Sequence, residues 1–274
     1  MFTITATCLN QLIEKTNKAL AELISFTNSS YLVVNISKTN FVTFCRNGVS
    51  CVLDNKIVFN GEFLKHVNSV KYLGFSLDFN LSWKSHCDLV AVKISRGLGV
   101  IRRLKNQLPS NVLLLLYHSI VSPYLSYGCM LWTSSFISSF RKVQILQNKI
   151  VRILGNYIQF ENSTLNCFTS LKILNIYQLR DYQLAIFIYQ CLNKCSPEVF
   201  WEIFKANSPY HCYETRNAND LASELRNTKR AAFLPRFAGP GVWNSLPDAI
   251  RQPDNVSQLK SRLKRYLLGY NLND

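Results

Sequence analysis

The feature that most constrains the fold is a change of periodicity centred on residues 70–83, Val-Lys-Tyr-Leu-Gly-Phe-Ser-Leu-Asp-Phe-Asn-Leu-Ser-Trp. Before this stretch, short runs rich in Val, Ile, Phe and Thr alternate with turn residues, which is the pattern of strands. After it, apolar residues recur at helical spacing for most of the chain. Inside it, Val70, Tyr72, Phe75 and Leu77 favour a strand around the flexible Gly74. Asn80 and Ser82 follow as helix-capping residues. The spacing therefore predicts an α+β protein, a small antiparallel sheet joined by this hinge to a mostly helical remainder.

Charge narrows the function. The chain carries a net charge of +15, and 48% hydrophobic with 17% charged residues is a globular balance. From Lys84 to Arg152 there are ten cations (Lys84, Lys93, Arg96, Arg102, Arg103, Lys105, Arg141, Lys142, Lys149, Arg152) against the single acid Asp88. Solvated helical faces ordinarily mix signs, so this window points to a polyanionic partner, nucleic acid first and an anionic membrane surface second. No apolar run reaches the roughly 18 residues of a membrane span. The N-terminus lacks a charged lead before an apolar core, so an intracellular protein is expected, with nucleus and cytoplasm unresolved. Nine scattered cysteines in such a chain read as free thiols. Cys191, Cys195, His211 and Cys212 are the only grouping with any resemblance to zinc spacing, and adjacent His211 and Cys212 do not easily reach one ion, so no metal site is expected.

In order, Thr5 to Phe26 reads as an amphipathic helix with Leu9, Leu12, Ile13, Leu20, Leu23 and Ile24 inward. Tyr31–Val34, Phe41–Cys45, Val49–Leu53 and Ile57–Phe59 read as short strands, with a turn at Asp54-Asn55-Lys56. Trp83 to Leu108 is a helix with Leu89, Val92, Leu98, Ile101 and Leu104 as its core stripe. Pro109 breaks it, and helices follow over Asn111–Val121 and Phe136–Leu154. Leu171 to Cys195 is a helix pair or one long helix. Residues 207–225 are a polar linker, and a final basic helix runs through Lys260 to Leu268. Tyr117, Tyr124, Tyr127 and Trp132 could stack on bases, although aromatic residues at helical spacing are more often core.

Several of these stretches resemble the reverse transcriptases of LINE-type retrotransposons, those without long terminal repeats, and the jockey-like group in particular. The resemblance rests on Lys71-Tyr72-Leu73-Gly74 with Asp78, Leu81-Ser82-Trp83 and His86; on Asn35-x-x-Lys38-Thr39 before an apolar strand; on Leu116 to Trp132; on Leu146-Gln147-Asn148-Lys149 with Arg152; and on Gly239-x-x-x-Trp243-Asn244-x-Leu246-Pro247. It implies that residues 1–80 are the distal palm, 81–160 a helical thumb and 161–274 a C-terminal region. It further implies that Tyr72, Leu73 and Gly74 form a primer grip. Lys38 would stand near the nucleotide phosphates and donate a proton to pyrophosphate, a role that needs a cation able to lose a proton. Lys93, Arg96, Arg102, Arg103, Lys105, Arg141, Lys142, Lys149 and Arg152 would grip an RNA/DNA template–primer without reading its sequence.

Polymerases of this family hold Mg2+ on carboxylates of an earlier palm strand and an Ala-Asp-Asp turn. No Asp-Asp pair occurs in this sequence. The expectation is a polymerase fragment that binds nucleic acid, carries no cofactor of its own and is inactive alone. The alternative is a helical protein-interaction module whose basic faces are incidental. Supply of the polymerase carboxylates by a separate chain is a further possibility, and oligomeric state is open.

Overall fold

A computed structural model describes residues 2–44, 56–133, 137–155, 164–205, 220–225 and 231–270. Contacts divide the chain into two compact units, Met1–His86 and Cys87–Asp274. The expected strand Val49–Leu53 and most of its turn lie outside the described residues, as do Phe136 and most of the 207–225 linker.

The smaller unit starts with helix α1 (Leu9–Ser29), whose Ile13, Leu20, Leu23 and Ile24 pack on buried Ile57, Phe59 and Leu64. Asn17 clips the helix to the following chain: its Nδ2 donates to the Lys56 carbonyl and its Oδ1 accepts from Val58 N–H, each at 3.2 Å. Tyr31–Val34 forms no strand among the described residues. Tyr31 takes a left-handed φ of +54° and Leu32 N–H donates back to the Thr27 carbonyl at 2.9 Å, so this segment is used in ending α1.

Strands β1 (Asn40–Phe41), β2 (Val58–Phe59), β3 (Glu62–Phe63), β4 (Lys65–His66), β5 (Ser69–Tyr72) and β6 (Phe75–Asp78) pair as three separate ladders. β1–β4 is parallel, whereas β2–β3 and β5–β6 are antiparallel. The hinge is thus a hairpin and not one strand: Ser69 opposes Asp78 and Tyr72 opposes Phe75 across a two-residue turn at Leu73-Gly74. Both turn residues have positive φ, +45° and +82°, the type I′ geometry whose twist matches that of paired strands. Gly74 reverses the chain here, because it adopts this conformation without the Cβ penalty that Leu73 bears.

After β6, Asp78 organises the approach to the next helix. Its Oδ1 accepts from Asn80 N–H and Ser82 N–H (3.2 and 2.8 Å), and its Oδ2 accepts from the Ser82 hydroxyl (2.9 Å). Ser82 Oγ in turn accepts from Lys84 N–H at 3.3 Å, the first residue of α2 (Lys84–Leu104).

The larger unit is helical: α3 (Ser110–Ile120), α4 (Ser122–Ser126), α5 (Cys129–Trp132), α6 (Ile137–Leu154), α7 (Thr164–Ser170), α8 (Ile176–Leu192), α9 (Pro235–Asn244), α10 (Asp248–Arg251) and α11 (Val256–Leu267). The expected stripe of α2 is corrected. Cys87, Val90, Ala91, Ile94, Leu98 and Ile101 are buried, while Leu89 and Val92 are exposed. At about 100° per residue, Leu89 lies about 180° from Leu98, so one face cannot bury both. Gly97 lets α2 pass close to the end of α3, since a Cβ there would stand 2.8 Å from Val121 Cγ2. The Leu171–Cys195 segment resolves into a turn and α8, begun by a capping box in which Asn175 Oδ1 accepts from Gln178 N–H and Gln178 Oε1 accepts from Asn175 N–H. One core joins α8, α9, α10 and α11 through Leu184, Ile188, Trp243, Leu246, Ile250, Leu259 and Leu263.

Candidate nucleic-acid interface

On α6, Phe140, Val143, Gln147, Ile150, Val151 and Leu154 are buried, which leaves Arg141, Lys142, Lys149 and Arg152 together on the outward face. Lys142 Nζ donates to Asp88 Oδ1 of α2 at 2.8 Å, across a surface where both side chains stay largely solvated, an arrangement that contributes little stability. Arg152 donates from Nε and a terminal nitrogen to Thr164 Oγ1 at 3.0 and 2.7 Å, which ties its guanidinium to the start of α7. On α2, Arg96 and Arg103 are seven residues apart and share an exposed face, and Arg102 sits on the flank. Lys93 lies 4.7 Å from the centroid of the Tyr124 ring, a cation–π contact. All nine cations singled out from the sequence are exposed.

The aromatic set divides. Tyr117 and Trp132 are core residues, and Trp132 Nε1 donates to the Tyr127 carbonyl at 3.0 Å. Tyr124 and Tyr127 are 40% and 54% exposed, with Lys93 lying over the Tyr124 ring. Burial pushes the Tyr117 hydroxyl up to about 12, with the hydrogen bond from Gln147 opposing that rise. Gln147, although it belongs to the Leu-Gln-Asn-Lys run, is wholly buried. Its Nε2 donates to Tyr117 Oη at 3.2 Å and to the Leu174 carbonyl at 3.0 Å, so it ties α3 and the entrance to α8 onto α6.

Other motif residues also prove to be framework. His86 is buried against Phe75 and Trp83, with ring centroids 5.2 and 6.1 Å away, and its Nδ1 accepts from Ser76 N–H at 3.4 Å. Trp243 is core, and Asn244 exchanges two hydrogen bonds with the backbone of Leu221, at 2.9 and 3.0 Å. A Cβ at Gly239 would stand 2.7 Å from Phe204 Cε1, so only glycine lets α9 seat there without displacing that ring.

In the smaller unit, Asn35 Oδ1 accepts from Lys38 N–H at 3.1 Å and the Thr39 hydroxyl donates to the Asn35 carbonyl at 2.8 Å. The Asn-x-x-Lys-Thr run is therefore a self-bonded turn that holds Lys38 at the surface. Tyr72 and Leu73 are 38% and 67% exposed at the hairpin tip. Among the described residues, no group of three or more His, Cys, Asp or Glu side chains is placed to hold a metal ion. Cys191 is buried, Cys195 is exposed, and His211 and Cys212 lie outside the described residues. No helix among the described residues is long and apolar enough to cross a membrane.

Comparison with known proteins supplies the context. Over 173 residues, 62% of this chain and 16% of the relative, it is 28% identical to the probable RNA-directed DNA polymerase from transposon X-element of Drosophila melanogaster. It is 30% identical over 123 residues, 43% of the chain and 13% of the relative, to the RNA-directed DNA polymerase from mobile element jockey of the same organism. The chain is related to retrotransposon reverse transcriptases. A third such relative, the probable RNA-directed DNA polymerase from transposon BS of Drosophila melanogaster, is 26% identical over 150 residues, 54% of the chain and 16% of the relative. The chain thus aligns with about a sixth or less of the length of these retrotransposon polymerases. No family model matches it, and no solved structure matches it significantly.

Proposed function

We propose that this chain supplies a nucleic-acid grip of the retrotransposon reverse-transcriptase type and leaves nucleotidyl transfer to carboxylates it does not contain. The observation that carries the reading is the outward face of α6, where Arg141, Lys142, Lys149 and Arg152 stand together, with Arg96, Arg102 and Arg103 exposed on α2. Such a face neutralises backbone phosphates and gives affinity without base readout. Tyr124 and Tyr127 add rings on which an unpaired base can stack.

In this reading residues 81–160 act as thumb and 161–274 as its C-terminal support. The hairpin tip Tyr72-Leu73-Gly74 touches the primer strand. Lys38, on its self-bonded turn, stands near nucleotide phosphates once the rest of a palm is supplied. The Mg2+ of the family chemistry finds no fitting carboxylate cluster among the described residues, so no step is assigned through it.

The test is fluorescence anisotropy of an RNA/DNA duplex across a salt series. A steep fall of affinity with salt is expected, together with collapse of binding in a variant carrying Arg102→Gln, Arg103→Gln, Lys149→Gln and Arg152→Gln. A flat salt response sinks the reading. A second reading, docking of a protein partner, is favoured by the exposed apolar side chains Val92 and Ile145 in a shallow cleft of about 430 Å³ between α2 and α6. It gains if duplex binding survives the four substitutions.

A further inference from the structure

We infer that a cleft formed where the end of α11 meets the turn after α7, and carrying Lys172, Lys264 and Arg265, is a second phosphate-binding site that holds the nucleic-acid backbone away from the α2/α6 face. The inference rests on the proposed nucleic-acid grip and extends it to a surface built from different elements.

Two segments far apart in sequence converge here. Lys172 lies just past α7, in a turn where its N–H donates to the Thr169 carbonyl (3.0 Å) and Ile173 N–H to that of Phe168 (2.9 Å). Lys264 and Arg265 lie in the last turn of α11. The helix then stops at Gly269, at a φ of +81°, and the chain turns so that the Tyr270 hydroxyl donates to the Thr169 carbonyl at 3.1 Å. That bond links the two ends and fixes the walls. The half-open cleft is about 400 Å³, with Leu268 and Tyr270 supplying apolar surface and Ser261 a hydroxyl. This is the scale of a nucleotide-sized ligand, and the combination of apolar floor and cationic rim suits a sugar–phosphate segment.

Several other cations of the same unit are held by carboxylates. Arg180 pairs with Asp181 at 2.8 Å, Arg236 with Glu224 at 2.7 Å, and Arg251 with both Asp220 and Asp248 at 2.7 and 2.6 Å. Lys172, Lys264 and Arg265 have no such carboxylate among the described residues, and none of the described residues that line the cleft is acidic. Helix-dipole stabilisation accounts for Lys264 and Arg265 near a C-terminus, but it gives no reason for Lys172 to join them. Lys264 already acts across this region: its charge, after burial, is the second cause that holds His118 of α3 below the ordinary imidazole range.

The experiment compares three versions of the 274-residue chain on one duplex across a salt series. The first is wild type, the second carries Lys172→Gln, Lys264→Gln and Arg265→Gln, and the third is a charge-matched control carrying Lys194→Gln, Lys205→Gln and Lys260→Gln. The cleft variant is expected to lower the salt slope by about 2 to 3, the value for about three lost phosphate contacts, and the control to change it by less than one. A variant with Lys172→Arg and Lys264→Arg, which keeps the charge, should retain the wild-type slope, and circular dichroism checks that all variants fold. Equal slopes for cleft variant and control overturn the inference while leaving the α2/α6 grip standing. Wild type that shows no salt-dependent binding overturns the grip itself. Unchanged duplex binding, with loss of binding to vesicles of anionic phospholipid, assigns the cleft to a lipid headgroup instead and also overturns the inference.

Discussion

In Met1–His86 the buried apolar side chains among the described residues are Ile57, Phe59 and Leu64, while Cys87–Asp274 buries apolar residues from nearly every one of its helices. The smaller unit joins its strands in ladders of two to four residue pairs and leaves Phe26, Tyr31, Val33, Phe63 and Leu73 well exposed. The larger unit closes its core around Trp132, Phe140, Ile150, Ile188, Ile250 and Leu259, each almost inaccessible to solvent. Stability follows buried apolar area, so the helical unit is the self-sufficient scaffold and the smaller one the part with most to gain from further contacts. The exposed cations of α2 and α6 and those of the α11 cleft lie on the helical unit. The proposed grip on a stiff, highly charged duplex would need its phosphate contacts held in fixed register, which a well-packed bundle can supply.

The largest expected effect comes from separating the units. Residues 87–274 expressed alone should remain soluble and melt cooperatively, with Cys129, Cys167 and Cys191 protected from a thiol reagent until the transition, as these three and Cys87 should be in the 274-residue chain. All four are buried, and burial raises each thiol, Cys87 and Cys129 to about 12. Residues 1–80 or 1–86 alone should aggregate, because short ladders with open edges and exposed apolar side chains recruit other chains. A monomeric, cooperatively folded small unit in gel filtration and calorimetry would break the comparison.

Within the helical unit, Trp132→Ala removes a wholly buried ring and should cost about 3–5 kcal/mol in chemical denaturation. Gln147→Leu should cost about 1–3 kcal/mol, because it leaves the Leu174 carbonyl and the Tyr117 hydroxyl without their buried donor. A Gln147→Leu protein as stable as wild type, but weakened in duplex binding, would reassign this residue from framework to interface. In the smaller unit, Asn17→Ala removes two backbone hydrogen bonds and should cost about 1–2 kcal/mol. Its effect should be confined to the part of the melt that belongs to that unit.

The change from strands to helices was legible because a switch from strand-like to helical spacing is written in local sequence. So were the ends of α3 and α6 and the exposure of the nine cations, since amphipathic spacing places Arg and Lys opposite the core. What escaped depended on partners distant in sequence. The apolar residues of α2 support more than one stripe, and nothing local selects Cys87, Ile94 and Ile101, which are buried, over Leu89 and Val92, which are exposed. The Leu73-Gly74 reversal was masked by flanking residues that favour a strand on either side of it. Gln147, His86 and Asn244 carry polar groups that suggest function, yet each is spent on a buried or half-buried backbone or hydroxyl partner. The cations of the α11 cleft were visible one at a time, but nothing local connects Lys172 to Lys264. The Asn175-x-x-Gln178 box was a readable start signal for α8, and it divides the Leu171–Cys195 segment.

The smallest effect sharpens the comparison from inside the helical unit. His118 is held below the ordinary imidazole range, first by partial burial and then by the positive charge of Lys264. Its protonation is thus less favourable in the folded state than in the unfolded chain, so below the ordinary pKa of about 6.5 the unfolded state binds more protons. The resulting stability is full above that value and is lost as pH falls through the lower folded pKa. The thermal midpoint of residues 87–274 should therefore decline between pH 7 and pH 5. His118→Gln should flatten that decline, and Lys264→Gln should reduce it by removing the second cause. Addition of a duplex should move the His118 titration, followed by NMR, upward if phosphate enters the cleft and neutralises Lys264. An unchanged titration with duplex bound would confine the grip to α2 and α6.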